Sequence, residues 1–223
     1  PSTTVVIAPA GYGKTSLVAE WAKQSRDPVI WMTITNSDST NEMAALLIQA
    51  TRNVIPGFAP WFETDQPVRP TEVVRRWGNE LLATGKNYNF VIDNLRMQNS
   101  KDVEIATILV EQFPTNVSFI SIRRDPQESV YPSYLSRGSL SIVGINELKF
   151  TDQEVKAFAE SHGVNFSDEK IKQSLNGAMG WPAAIGILVR HIEKTGLAVD
   201  FAKLISSQSE PLRALGMTII GET

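Results

Sequence analysis

Residues 3–16 read TTVVIAPAGYGKTS. The first six, TTVVIA at 3–8, form a run rich in β-branched residues, the pattern of a strand buried on both faces. The turn PAGYG follows at 9–13. KTSLVAEWAKQ then has helical spacing, with Leu17, Val18, Trp21 and Ala22 expected on one face. A glycine-rich turn between a buried strand and a helix is the setting of a phosphate-binding loop. Small residues let the backbone curl until successive N–H groups converge, and the new helix adds its partial positive charge. Gly11, Tyr12, Gly13, Lys14, Thr15 and Ser16 are therefore the expected nucleotide-binding residues. Lys14 would reach the β- and γ-phosphates, and the Thr15 hydroxyl would take one Mg²⁺ position. The stretch departs once from G-x-x-x-x-G-K-[ST], with Ala8 in the place of the first glycine.

Working outward, strand patterns recur at 29–34 (VIWMTI), 89–93 (NFVID), 117–122 (VSFISI) and 140–145 (LSIVGI). Helical stretches lie near 41–54, 71–84 and 103–112, the first opened by a Ser39/Glu42 capping box. This alternation predicts an α/β fold of the P-loop NTPase kind over 1–147, a parallel sheet covered by helices. Beyond 146 the texture changes. A Thr151/Glu154 capping box opens TDQEVKAFAESHG, where Val155, Phe158 and Ala159 have helical spacing and Gly163 stops the helix. Ser167 is expected to cap a helix through Leu175, and another spans about 182–194. The expectation for 148–223 is a small all-helical domain. The chain opens at Pro1 almost directly on a strand and closes on MTIIGET in mid-pattern, which reads as a piece of a longer protein truncated ahead of the first strand.

NFVID ends in Asp93, and an acid at the end of a strand beside a phosphate loop is placed to hold Mg²⁺ through water. The next residue is Asn94, which cannot accept a proton as a water-polarising acid would, and this counts against rapid hydrolysis. Arg123 and Arg124 end the 117–122 strand; an arginine there either contacts the γ-phosphate or is simply solvated. Arg75–Arg76 reads as a wet helix face. The excursion from Pro56 to Pro70 carries Pro60, Pro67, Trp61 and Phe62, and is either pinned to the surface by its aromatics or a contact site. GWP at 180–182 is good helix-opening chemistry, without a function that composition alone would assign.

Composition narrows the classes. The 223 residues are 42% apolar and 20% charged, with a net charge of −3. That excludes a disordered tail, a collagen-like fibre and a whole-chain basic footprint for nucleic acid. The absence of cysteine excludes disulfides, thiolate zinc sites and cysteine nucleophiles. Two histidines, His162 and His191, are too few for a histidine-rich metal site and are expected on helix surfaces. No apolar run approaches the ~20 residues of a bilayer span and no signal peptide is visible, so a cytoplasmic location is expected.

Together these residues resemble the nucleotide-binding module of the STAND class of signal-transduction ATPases, in particular the MalT-like large ATP-binding LuxR-type transcriptional regulators. The matching elements, in family order, are APAGYGKT at 8–15, Trp31 on the next strand, the acid-ended strand 89–93, RRDP at 123–126, the stretch 135–154, and GWP at 180–182. The resemblance implies a P-loop domain followed by a helical domain that closes over ATP or ADP with Mg²⁺. It implies that Lys14 and Thr15 hold phosphate and metal, that Asp93 assists the metal, that Arg123 senses phosphate, and that Pro182 packs near adenine. It implies self-association of the parent protein in the ATP state, with DNA bound only through a domain outside these residues. Two positions depart from the family: Asn94 replaces the second acid, and Thr35 replaces the acid after the second strand, leaving Asp38 nearby. The resemblance also implies a segment ahead of the first strand that helps form the adenine pocket, expected to precede these residues in the parent protein. Two further readings stay open, a continuously turning-over ATPase and a non-hydrolysing module locked around its nucleotide.

Overall fold

The computed structural model describes residues 2–34, 40–62, 69–95, 114–124 and 139–200. The expected helix at 103–112, Ser39, Thr35, Asp38, residues 125–126 of RRDP and the residues after 200 lie outside these. The chain forms two compact units, Pro1–Ile7 with Thr15–Val143, and Ala8–Lys14 with Gly144–Thr223.

In the first unit, β1 (Ser2–Ile7), β2 (Val29–Thr33), β3 (Tyr88–Asp93), β4 (Val117–Arg123) and β5 (Ser139–Val143) form a parallel sheet in the order β2-β3-β4-β1-β5. β1 lies inside the sheet between β4 and β5, a place that suits its apolar VVI run: Val5 and Val6, which point to opposite faces, are both buried. The sequence-expected strand at 140–145 is shorter than anticipated. Gly144 leaves the sheet, and Ile145 opens a helical turn instead.

Helices α1 (Lys14–Gln24), α2 (Thr40–Arg52) and α3 (Pro70–Ala83) complete the described part of this unit. Leu47 and Ile48 of α2 and Trp77 and Leu81 of α3 pack with Ile30, Phe90 and Phe119 of the sheet into one core. The Trp77 ring meets Phe90 edge-on at 5.4 Å, and its indole N–H donates to Thr51 Oγ1 at 2.8 Å. That bond joins α2 to α3 and satisfies a polar atom that burial would otherwise penalise. The expected apolar face of α1 is narrower in the structure. Val18 is buried, but Leu17 and Trp21 are 47% and 40% exposed, because the buried stripe follows the i, i+4 row through Lys14 and Val18.

The excursion after α2 is pinned as far as it is described. Arg52 donates to the carbonyls of Phe58 and Ala59 at 2.9 and 2.8 Å. Glu80 accepts from Ala59 N–H and from the Trp61 indole, and the Arg76 guanidinium lies 4.2 Å from the Trp61 ring. Arg76 is thus not part of a merely wet face; Arg75, paired with Glu72 in the open, is.

In the second unit, α4 (Ile145–Leu148), α5 (Asp152–Ser161), α6 (Glu169–Asn176) and α7 (Pro182–Thr195) follow one another. Val155, Ala159, Ile171, Leu175, Ala184 and Leu188 form its core; full burial of a side chain such as Leu188 contributes about 1.5–3 kcal/mol. Thr151 and Glu154 make the expected capping box, with Thr151 N–H and Oγ1 each 2.8 Å from Glu154 Oε2. The cap of α6 is Asp168 rather than Ser167. Its carboxylate accepts from Lys170 and Ile171 N–H, whereas Ser167 N–H donates to Asn165 Oδ1 in the preceding turn. Gly196, at φ 70°, ends α7. Among the described residues no helix is long and apolar enough to cross a membrane.

Candidate nucleotide-binding site

β1 ends at Ile7 and α1 begins at Lys14, so the loop between them follows the C-terminal end of an interior strand, where open α/β sheets bind ligands. Gly11 and Gly13 have φ of 79° and 73°, a conformation that side chains other than glycine's disfavour. Alternation of such residues with right-handed ones aims neighbouring N–H groups into one concavity, the geometry of an anion nest. At Gly13 an added Cβ would meet nothing, so the backbone angle alone requires glycine there. At Gly11 it would also lie 2.7 Å from Ala183 Cβ and 2.8 Å from Trp181 Nε1.

Ala8–Lys14 belongs by its contacts to the second unit. Trp181 Nε1–H donates to Ala10 O at 3.2 Å, and Ala183 N–H donates to Gly11 O at 3.1 Å. Helix α7 has no side-chain cap, so the Gly11 carbonyl takes the place of one for a first-turn N–H. Tyr12 packs against the helical core. Gly180, at φ 78°, lets its carbonyl accept from Phe150 N–H at 2.8 Å, where a Cβ would strike Phe150 O at 2.6 Å. Pro182 occupies the first position of α7. Lys14 Nζ donates to Ala8 O and Pro9 O at 2.5 and 2.7 Å, folding the ammonium along its own loop.

In the first unit, Thr15 Oγ1 donates toward the Asp93 carboxylate, 3.1 Å from Oδ2 and 3.3 Å from Oδ1. The structure therefore brings Thr15 and Asp93 together. A hydroxyl beside a carboxylate is a hard-oxygen pair suited to Mg²⁺, which is held by few protein ligands and completes its shell with water and phosphate. No group of three or more His, Cys, Asp or Glu able to hold a metal occurs among the described residues, so the oxygen pair fits such a shared site better than an all-protein cage. Ser16 lies exposed in the first turn of α1.

Asn94 and Arg123 are placed differently. Asn94 has φ 61°, which asparagine tolerates, and its Nδ2–H donates to Ile34 O at 2.8 Å while Ile34 N–H donates to Asp93 O. The residue thereby ties the end of β3 to the chain leaving β2. Arg123 stands beside Ile7 in the sheet register, at the same strand ends as Asp93. Strand alternation puts its side chain on the face of Phe119, opposite that of Asp93, and it is 1% exposed. Reading a phosphate would require the guanidinium to swing out. Sequence reasoning missed Trp181 and Ala183 as partners of the loop; the only signal was the helix-opening GWP, which specifies a first turn but not what it touches.

No protein-family model matches the chain. It is 22% identical over 191 residues to the HTH-type transcriptional regulator MalT of Klebsiella pneumoniae, an alignment covering 82% of this chain and 21% of that protein. Among solved structures it resembles a STAND protein with a tetratricopeptide repeat sensor from Pyrococcus horikoshii, with a TM-score of 0.59 at 17% identity, over 84% of this chain and 27% of that one. It also resembles the Aeropyrum pernix ORC1 protein, solved in complex with DNA, with a TM-score of 0.56 at 14% identity, over 87% of this chain and 54% of that one. The chain shares the α/β fold of these two proteins and is similar in sequence to MalT. It spans about a fifth of the length of the MalT relatives it matches.

Proposed function

We propose that this module is an adenine-nucleotide-dependent regulatory switch, binding ATP or ADP with Mg²⁺ and hydrolysing ATP slowly if at all. The observation that carries the reading is the glycine loop ending in Lys14–Thr15, with the Thr15 hydroxyl against the Asp93 carboxylate. Gly11 and Gly13 would present backbone N–H groups to the phosphates, and Lys14 would exchange its two loop carbonyls for phosphate oxygens. Thr15 and Asp93 would hold Mg²⁺, which when bound neutralises charge between the β- and γ-phosphates. Arg123 is assigned to sensing the outermost phosphate and Pro182 to packing near the base. The likeness to MalT, a transcriptional regulator by name, supports a regulatory setting in which DNA contact and self-association belong to a longer protein.

Slow turnover follows from Asn94. Its amide donates into Ile34 O, and an amide cannot take a proton from an attacking water. Single-turnover hydrolysis of Mg·ATP tests the reading: a rate on the order of 10⁻³ s⁻¹ or slower is expected, near that of an unassisted switch GTPase. Sustained turnover near 10 s⁻¹, the middle of the usual enzyme range, would replace the switch with a working ATPase. Tight nucleotide binding with no hydrolysis over many hours, and with no effect of the bound nucleotide on self-association of the longer protein, would favour the locked module.

A further inference from the structure

We propose that Trp181 is a positioning residue for the phosphate loop, acting through its indole N–H on Ala10 O; the inference rests on the nucleotide reading above. Two consecutive loop carbonyls are held by the start of α7: Ala10 O by Trp181 Nε1–H and Gly11 O by Ala183 N–H. Each carbonyl shares a planar trans peptide unit with the next residue's N–H, and no peptide bond in the described chain is cis. In a trans unit the C=O and N–H point in opposite directions. Turning the Ala10 carbonyl toward Trp181 therefore turns Gly11 N–H away from α7, and turning the Gly11 carbonyl toward Ala183 does the same for Tyr12 N–H. Those two N–H groups belong to the stretch that would cradle phosphate.

The ring also walls the loop. Trp181 is 9% exposed and occupies, with Ala183, the space where a Cβ on Gly11 would lie. Glycine at 11 is thus demanded twice, by the left-handed backbone angle and by the α7 residues against it. The tryptophan contributes two separable things, an aromatic surface that belongs to the helical core and a donor that sets a loop carbonyl. Trp181→Phe keeps the first and deletes the second.

The test compares wild type and Trp181→Phe in the full chain, titrating Mg·ADP and, separately, inorganic pyrophosphate, with thermal melting of both proteins. Loss of one loop-setting hydrogen bond should weaken both ligands together by about tenfold while the cooperative melt is kept. A fall for ADP with pyrophosphate unchanged would mean that the ring contacts the base, and would overturn the positioning role. Unchanged affinity for both ligands would overturn it as well. So would loss of the cooperative melt in Trp181→Phe, since the indole N–H would then be a structural group. Wild type that binds neither ligand would instead remove the phosphate-loop reading on which the proposal stands.

Discussion

Gly11 and Asn94 carry the most information for their size. An alanine at 11 would meet Ala183 and the Trp181 ring inside ordinary contact distance and would sit at an unfavourable φ. Gly11→Ala should cost about 1–3 kcal/mol from overpacking alone, read as a lower urea midpoint; a midpoint equal to wild type would mean that the loop is free of α7. Asn94→Asp replaces a donor aimed at Ile34 O with an acceptor. It should destabilise the sheet unit by about 1–3 kcal/mol and, by placing a proton acceptor at the strand end, speed ATP hydrolysis. A variant as slow as wild type would mean that the missing acid does not limit turnover. The identity of Asn94 was legible in the sequence as a missing acid. Its bond across to the end of β2 was not, because a partner sixty residues away leaves no mark on local spacing.

At the scale of elements, the legible features were those whose signal is local. The β-branched run of β1, the acid ending β3 and the Thr151/Glu154 box all follow from neighbouring residues. The exposed flank of α1 and the choice of Asp168 over Ser167 as a cap depend on what the rest of the chain covers and on competing local acceptors. The capping box makes a pH prediction. Thr151 N–H first, and its hydroxyl second, hold the Glu154 carboxyl below the ordinary carboxylate value. A depressed folded-state pKa stabilises fully above the unfolded value, about 4.3, and that contribution is lost as pH falls through the lower folded value. The melting-temperature gap between wild type and Glu154→Ala should therefore be constant from neutral pH to about pH 5 and close on further acidification. A gap that widens toward acid would contradict this assignment. In the first unit, Trp77→Phe deletes the bond to Thr51 that joins α2 to α3, and should cost about 1–3 kcal/mol in denaturant unfolding; an unchanged midpoint would mean that the bond contributes nothing net.

At the scale of the whole molecule, the glycine loop at 8–14 groups by contact with the helical unit, while the hydrogen-bonded pair Thr15–Asp93 belongs to the sheet unit. The sheet was readable from alternating strand and helix patterns. The attachment of the loop to α7 was not, because it is made by two backbone carbonyls, an indole N–H and the absence of a side chain at Gly11, none of which has periodicity. Nucleotide binding remains the claim on which the regulatory account depends, and Lys14 is its most exacting test, since its ammonium now rests on the carbonyls of Ala8 and Pro9. The measurement is calorimetric titration of the full chain with Mg·ADP, wild type against Lys14→Ala. The account predicts saturable one-to-one binding in wild type and its loss in the variant, with both proteins melting cooperatively. Equal affinity in the two proteins, or no binding by wild type, would contradict it.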